Sequence, residues 1–312
     1  MKASLPAWRP AEVPVDSVAP SASASASASA SASASADDEP VPSDRFRATA
    51  LVDVRGLQIA GSARTDAPAL ATGISLSVAR GEIIALVGVA GSGTREIALA
   101  IAGRLPAPAV IAAGSILIAG QEVVGASPRA LKRIRESKIS LIAPGLPTGL
   151  SPGRTIGRQL ARTLRRQRGL SRTDAARRAL ELLEQVGLPD PLATSLLLWS
   201  QLDEAALIRV SVAVGVSFQP DLLILAENAH ARALDAAGET DLLELCRGFR
   251  REVGLSIIVV SGDLGIVAAT CDRVAVVDAG RVVEQGSAAE IVAAPQHPRT
   301  RSLLEAARTG RN

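Results

Sequence analysis

The chain has no tyrosine, three phenylalanines and two tryptophans, so rings make up only 2% of its 312 residues. Sites that stack bases on aromatic rings have few candidates, which argues against a single-strand nucleic-acid binder. Cysteine is equally scarce. Cys246 and Cys271 stand 25 residues apart with no C-x-x-C pair, which speaks against a disulfide framework or a zinc site. Both are expected to be buried small apolar residues of a reducing compartment. Two histidines, His230 and His297, cannot build a metal site alone. No apolar run reaches the roughly 18 residues of a membrane-spanning helix. The opening "MKASLPAWRP" lacks the apolar core of a signal peptide. The expected location is cytoplasmic, with docking on a membrane partner left open.

What is abundant is apolar: 47% of the residues, enough for a sizeable core. The formal net charge is only +3. Its densest basic patch is "RTLRRQRGLSR" (162–172). A solvated helix face is the ordinary reading of such a run, ahead of a nucleic-acid surface. The cytoplasmic face of a membrane protein is a third reading.

Composition divides the chain. Residues 1–48 hold eight Ser-Ala pairs (Ser21 to Ala36) and then the acidic "DDEPVPSD". Small alternating residues bury too little area to offset ordering entropy, so a flexible tether is expected. From residue 49 onward, "ALVDVRGLQIA" and "GISLSVARGEIIALVG" read as strands, and "TREIALAIAGRL" (94–105) as a helix. "AGSILIAGQEVVG" reads as a strand pair. Residues 155–188 carry helical periodicity over two helices, with Ser171 and Asp174 suited to a helix start. "DLLILAE" (221–227) and "SIIVVSGD" (256–263) are continuous apolar runs, as in strands buried on both faces of a parallel sheet. An amphipathic helix between them completes a βαβ unit. The fold class is therefore α/β with a helical insertion at about 145–210, and the glycine-rich "GVAGSGTR" (88–95) after "EIIALV" makes it a P-loop NTPase-type sheet. The body is expected to span 49–288, with 289–312 as a C-terminal extension.

The stretch "GVAGSGTR" (88–95) follows the apolar "EIIALV". Its glycines are those of a phosphate-binding loop, whose backbone N–H groups converge on phosphate at a helix N-terminus. Gly88, Gly91, Ser92 and Gly93 can supply that backbone. The loop should continue with Lys, which reaches the terminal phosphates, and then with Ser or Thr, whose hydroxyl binds Mg²⁺. Here Thr94 and Arg95 stand there instead. One step along a helix turns a side chain by about 100°, so the exchange is not an equivalence. Weak phosphate affinity and none stay equally open, beside a plain glycine turn packing strand on helix.

From about 49 to 305 the chain resembles the ATP-binding subunits of ABC transporters, in the dipeptide, oligopeptide and nickel importer group. The anchors are "GLSPGRTIGRQL" (149–160), "RRALELLEQVGLPDP", "LLILAE", "ALD" (233–235), "DRVAVVDAGRVVEQG" and "APQHPRTRSLLEA", where Arg299 replaces an aromatic. The resemblance implies ATP and Mg²⁺ as cofactors. As partners it implies permease subunits and a second cassette, in a heterodimer at the inner face of the membrane. It also assigns roles by register, and most of them fail. The adenine-stacking aromatic falls at Gly61, the Mg²⁺-linked Gln at Pro144 and the Walker B Asp at Ala226. The switch His falls at Gly262, and His230 does not replace it in register. The "LSGGQ" signature reads "LDEAA" (Leu202 to Ala206), putting Asp203 and Glu204 where a γ-phosphate would approach. Glu227 alone keeps the catalytic position, and two extra residues separate it from "ALD". Phosphoryl transfer rests on positioned charge, so weak or absent ATP binding and hydrolysis are expected. A protein-binding scaffold outside transport, or a decaying paralogue, is the alternative.

Overall fold

Three strands without a polar interior position form the centre of the protein. In the computed structural model, which describes residues 50–64, 66–143, 151–226 and 236–309, these are β3 (Ile83–Val87), β7 (Leu222–Leu225) and β8 (Ser256–Ser261). All of their residues are buried. Alternate side chains point to opposite faces. Ala85, Leu223 and Ile257 thus join one apolar cluster, while Leu86, Ile224 and Ile258 join another. With β6 (Ile139–Ile142), β9 (Arg273–Asp278) and β10 (Arg281–Ser287) they form a sheet of order β10-β9-β3-β8-β7-β6. It is parallel except for the antiparallel edge strand β10.

A second sheet covers one face. It is antiparallel, in the order β2-β1-β4-β5, from β1 (Ala50–Ala60), β2 (Ala69–Ala79), β4 (Val110–Ile118) and β5 (Gln121–Glu122). Its apolar side packs with α1 (Thr94–Ile101) on the second cluster. The helix expected over 94–105 therefore stops four residues early. Gly103 takes φ +61°, and the Arg104 N–H turns back to the Leu99 carbonyl at 2.8 Å, a left-handed cap that ends the helix. Helix α2 (Pro128–Ser137) follows, capped by the Ser127 hydroxyl.

The opposite face carries the helices that the 155–188 periodicity announced. They are α3 (Ile156–Arg168) and α4 (Arg172–Gln185). Ser171 caps α4, accepting from the Asp174 N–H at 3.1 Å. Ile156, Leu160, Leu164, Ala179 and Leu183 supply the buried face. Gln159 explains its place in "GRQ": its amide donates to the Arg154 carbonyl and accepts from the Ser151 N–H, pinning the 151–154 turn to α3. Gly157 has a comparable reason. A Cβ there would meet the Ser195 side chain at 2.9 Å, where α5 (Pro191–Leu196) crosses α3. Helix α6 (Glu204–Ser217), which periodicity alone did not mark, is buried along its second half and leads into β7.

Helices α7 (Ala236–Val253), α8 (Leu264–Thr270), α9 (Ala288–Ala293) and α10 (Pro298–Thr309) complete the unit. Cys246 and Cys271 are free and buried, as expected, and burial pushes both thiols up to about 12. Among the described residues no helix is long and apolar enough to cross a membrane.

Candidate functional site

The chain leaves β3 at Val87 and enters α1 at Thr94, and the six residues between are fixed by glycine geometry. At Gly88 a Cβ would lie 2.4 Å from Ser92 Oγ and 2.5 Å from the Val277 carbonyl. Gly91 and Gly93 take φ +82° and +97°, a region that favours glycine. The turn is held by Ser92 N–H to the Val89 carbonyl at 3.0 Å and by Gly280 N–H to the Ser92 carbonyl at 2.8 Å. The second bond ties the loop to the β9–β10 turn. Gly88, Gly91, Ser92, Gly93, Thr94 and Arg95 therefore lie together at the start of α1.

Their side chains divide. Ser92 and Thr94 are buried, with their hydroxyls 3.3 Å apart. Arg95 is exposed. Thr94 thus turns inward where a lysine would be sought, and Arg95 leaves from another side of the helix. The loop tip, Val89 to Gly91, is exposed.

Two parallel strands bring further residues to the same sheet edge. Ser261 ends β8 opposite Val87, and its carbonyl accepts from the Gly88 N–H at 3.3 Å. Its hydroxyl donates to Glu239 of α7 at 2.8 Å and accepts from the Asp263 N–H at 3.0 Å. Asp263 caps α8 through the N–H groups of Gly265 and Ile266. Burial first, and then the Asp263 charge, hold the Glu239 carboxyl above its ordinary range. Gly262 sits between Ser261 and Asp263 without a side chain. Ala226 continues β7, fully buried, its N–H bonded to the Ile142 carbonyl at 2.9 Å. Pro144, Glu227, His230 and the "ALD" of 233–235 lie outside the described residues. Gly61 follows β1 and donates to the Pro68 carbonyl at 2.9 Å, so no ring stands at that position.

Residues 202–206 form the entry to α6. Asp203 is its N-cap, accepting from the Ala206 N–H at 2.7 Å. The carboxylate thus satisfies a free donor at the helix end and places a negative charge there. Replacing Asp203 by alanine will cost about 1 kcal/mol of unfolding free energy. Serine, which caps as well, will cost little, and paired urea titrations will separate the two. Equal losses would mean that the charge, not the cap, is what α6 needs.

Glu239 and Ser261 escape a reading of motifs. They are 22 residues apart, and their bond exists only because α7 packs beside β8. A C-terminal β8 residue of hydroxyl type was the available signal.

Comparison with known proteins places this geometry. The ABC transporter family profile matches residues 71–229, from the start of β2 through the loop to beyond Ala226. The chain belongs to the ABC transporter family. Among ABC relatives, the oligopeptide transport ATP-binding protein OppD of Bacillus subtilis is 33% identical over 260 residues, 83% of this chain and 72% of that protein. The dipeptide transport ATP-binding protein DppD of the same organism is 34% identical over 233 residues, 74% of this chain and 69% of that one. Among solved ABC structures, CbiO1 of Clostridium perfringens, part of a CbiONQ transporter complex, superposes with TM-score 0.65 at 24% identity, covering 79% of this chain and 92% of that one. A dimeric ATP-binding cassette bound to ADP and Pi in a post-hydrolysis state gives 0.64 at 19% identity, covering 76% and 98%. The chain is thus an ABC cassette that groups with subunits named for peptide transport.

Proposed function

We propose that this chain is the cassette subunit of a peptide-type importer whose own nucleotide chemistry is weak or absent. It serves as a structural half at the inner face of the membrane, beside permease subunits and a second, different cassette. ATP with Mg²⁺ is the ligand the family implies. The backbone suits it: the glycine turn ends at the N-terminus of α1, whose first turn carries no side-chain cap and favours an anion. The side chains do not. The observation that carries the reading is Thr94, buried against Ser92 where a lysine ammonium would reach the terminal phosphates. Ala226 offers no carboxylate for a metal, and Gly262 offers no imidazole. Bound at the turn, a nucleotide would meet backbone dipoles and Arg95, which leaves from another side of the helix and whose planar fork is a poor stand-in for a compact ammonium.

In a head-to-tail cassette pair, each nucleotide lies between one loop and the other's signature. Asp203 and Glu204 would then turn two carboxylates toward the partner's γ-phosphate, at a helix end whose donor is already occupied. Both composite sites are impaired by this chain, one at its loop and one at its signature. What it retains is the apolar framework; contact with the membrane subunits we assign to the 144–160 stretch, of which 151–160 lie among the described residues.

Calorimetry with ATP, with and without Mg²⁺, tests the reading. The expected outcome is millimolar or weaker affinity that Mg²⁺ leaves unchanged, and no turnover by the purified chain. Tight, magnesium-dependent binding would overturn the claim of lost chemistry. A co-purification from the native host that yields no permease would favour the scaffold outside transport.

A further inference from the structure

The "HPRT" run (297–300) plays no part in the nucleotide site, yet it is bonded firmly to the body of the protein. Glu284 of β10 is the centre of that attachment. Its carboxylate accepts from the Gln296 and His297 N–H groups, both at 2.9 Å, and from the Thr300 hydroxyl. The Arg299 N–H donates to His297 Nδ1 at 3.1 Å. Donors at the start of α10 are thus met from another strand as well as from within the turn. Burial raises the Glu284 carboxyl, but the bonds from Gln296, Thr300 and His297 outweigh it and hold the group below its ordinary range. Glu284 is therefore charged at neutral pH, and the bonds it accepts are of the stronger kind. Thr300 is fully buried, and Leu303 and Leu304 join the same apolar cluster as Leu264 and Val267 of α8.

Two routes lead from α10 to the glycine loop. The first is the β9–β10 turn. Arg299, in place of an aromatic, sets its Nε 3.2 Å from Asp278 Oδ1, an ion pair without hydrogen-bond alignment. Asp278 ends β9. Just before it the Val277 carbonyl packs against Gly88, and just beyond it the Gly280 N–H holds the Ser92 carbonyl. The second route is α8. A Cβ at Gly265 would lie 3.0 Å from the Ala307 Cβ, so α10 rests directly on the first turn of α8. The Gly265 N–H is bonded to the Asp263 carboxylate, the Asp263 N–H to Ser261 Oγ, and the Gly88 N–H to the Ser261 carbonyl. We propose that Glu284 latches α10 to the body, and that the latched helix braces the 88–95 loop at both Gly88 and Ser92, through Asp278 and through α8. Opening the latch loosens the loop, because the contacts between them form a continuous chain of packed and bonded groups. The device concerns how the loop is held and stands whether or not nucleotide binds there.

Hydrogen–deuterium exchange of the full chain tests both halves. Glu284→Gln keeps the shape, removes the charge and turns an amide donor toward donors. Amides of α10 should then exchange on the order of tenfold faster, and those of 88–95 should follow, while those of α3 and α4 hold. Thr300→Val deletes the hydroxyl donor alone. It should give the same pattern at smaller amplitude, and it carries the test if the Gln variant does not fold. Glu290→Ala is the control, since it removes the capping box of α9 beside β10 and should loosen α9 without the loop. Unchanged α10 exchange in Glu284→Gln and Thr300→Val, a faster α10 with an unchanged loop, equal acceleration throughout the chain, or a loop loosened as much by Glu290→Ala would overturn the proposal.

Discussion

Replacing Gly93 by alanine will lower the unfolding free energy by about 3 kcal/mol or more. Two costs add. A residue with a Cβ at φ +97° is strained by about 1–3 kcal/mol. The new methyl would also lie 2.5 Å from the Leu70 carbonyl oxygen and 3.3 Å from the Gly280 Cα, so backbone on two other segments must shift, at a further cost of about 1–3 kcal/mol. Those segments cannot yield independently. Gly280 N–H is bonded to the Ser92 carbonyl, and the Gly280 carbonyl accepts from the Thr72 N–H at 2.8 Å. The loop, the start of β2 and the β9–β10 turn move together or not at all. Gly91 is the internal control. It also has positive φ, yet a Cβ there would meet nothing within 4 Å. Gly91→Ala should cost only the conformational part, about 1–2 kcal/mol. Urea unfolding of both variants checks the pair. Equal losses would show that the three-segment contact at Gly93 has no energetic weight.

This contrast marks what the sequence could and could not disclose. The three central strands were legible because they are apolar at every interior position, which only burial on both faces demands. The α4 start was legible because its cap, Ser171, is local to the helix. The end of α1 was not, since the glycine that stops it stands within an otherwise helical pattern. Gly93 belongs with the second kind. Its motif position is plain, but its packing reason depends on Leu70 and Gly280, which are remote in the chain. In the candidate site, that Thr94 and Arg95 leave from different sides of the helix follows from helix rotation and was legible; that Thr94 is the one turned inward was not. The Ser261–Glu239 bond was not, because it depends on how α7 lies against β8. Asp203 shows a residue whose meaning doubled: register made it a lost signature serine, and the structure makes it a helix cap as well.

Restoring four side chains, Thr94→Lys, Arg95→Ser, Ala226→Asp and Gly262→His, should create magnesium-dependent ATP binding at least a hundredfold tighter than that of the parent chain. The backbone that would receive phosphate is already set by Gly88, Gly91 and Gly93, so no loop rebuilding is required. Hydrogen bonds to charged groups contribute about 1.5–3 kcal/mol each, and two such contacts exceed the hundredfold mark. The Ala226→Asp change would carry its own cost. Position 226 is buried, and a carboxylate there without a metal is poorly solvated. The restored protein should therefore be less stable than the parent when free, and Mg²⁺ with ATP should raise its melting temperature by more than ATP alone. The parent should show no such difference. Recovery of binding would mean that only polar side chains were lost from a competent scaffold. A variant that folds and still ignores magnesium nucleotide would mean that the turn itself no longer presents its N–H groups to phosphate, and the loop would then be a structural corner joining β3 to α1.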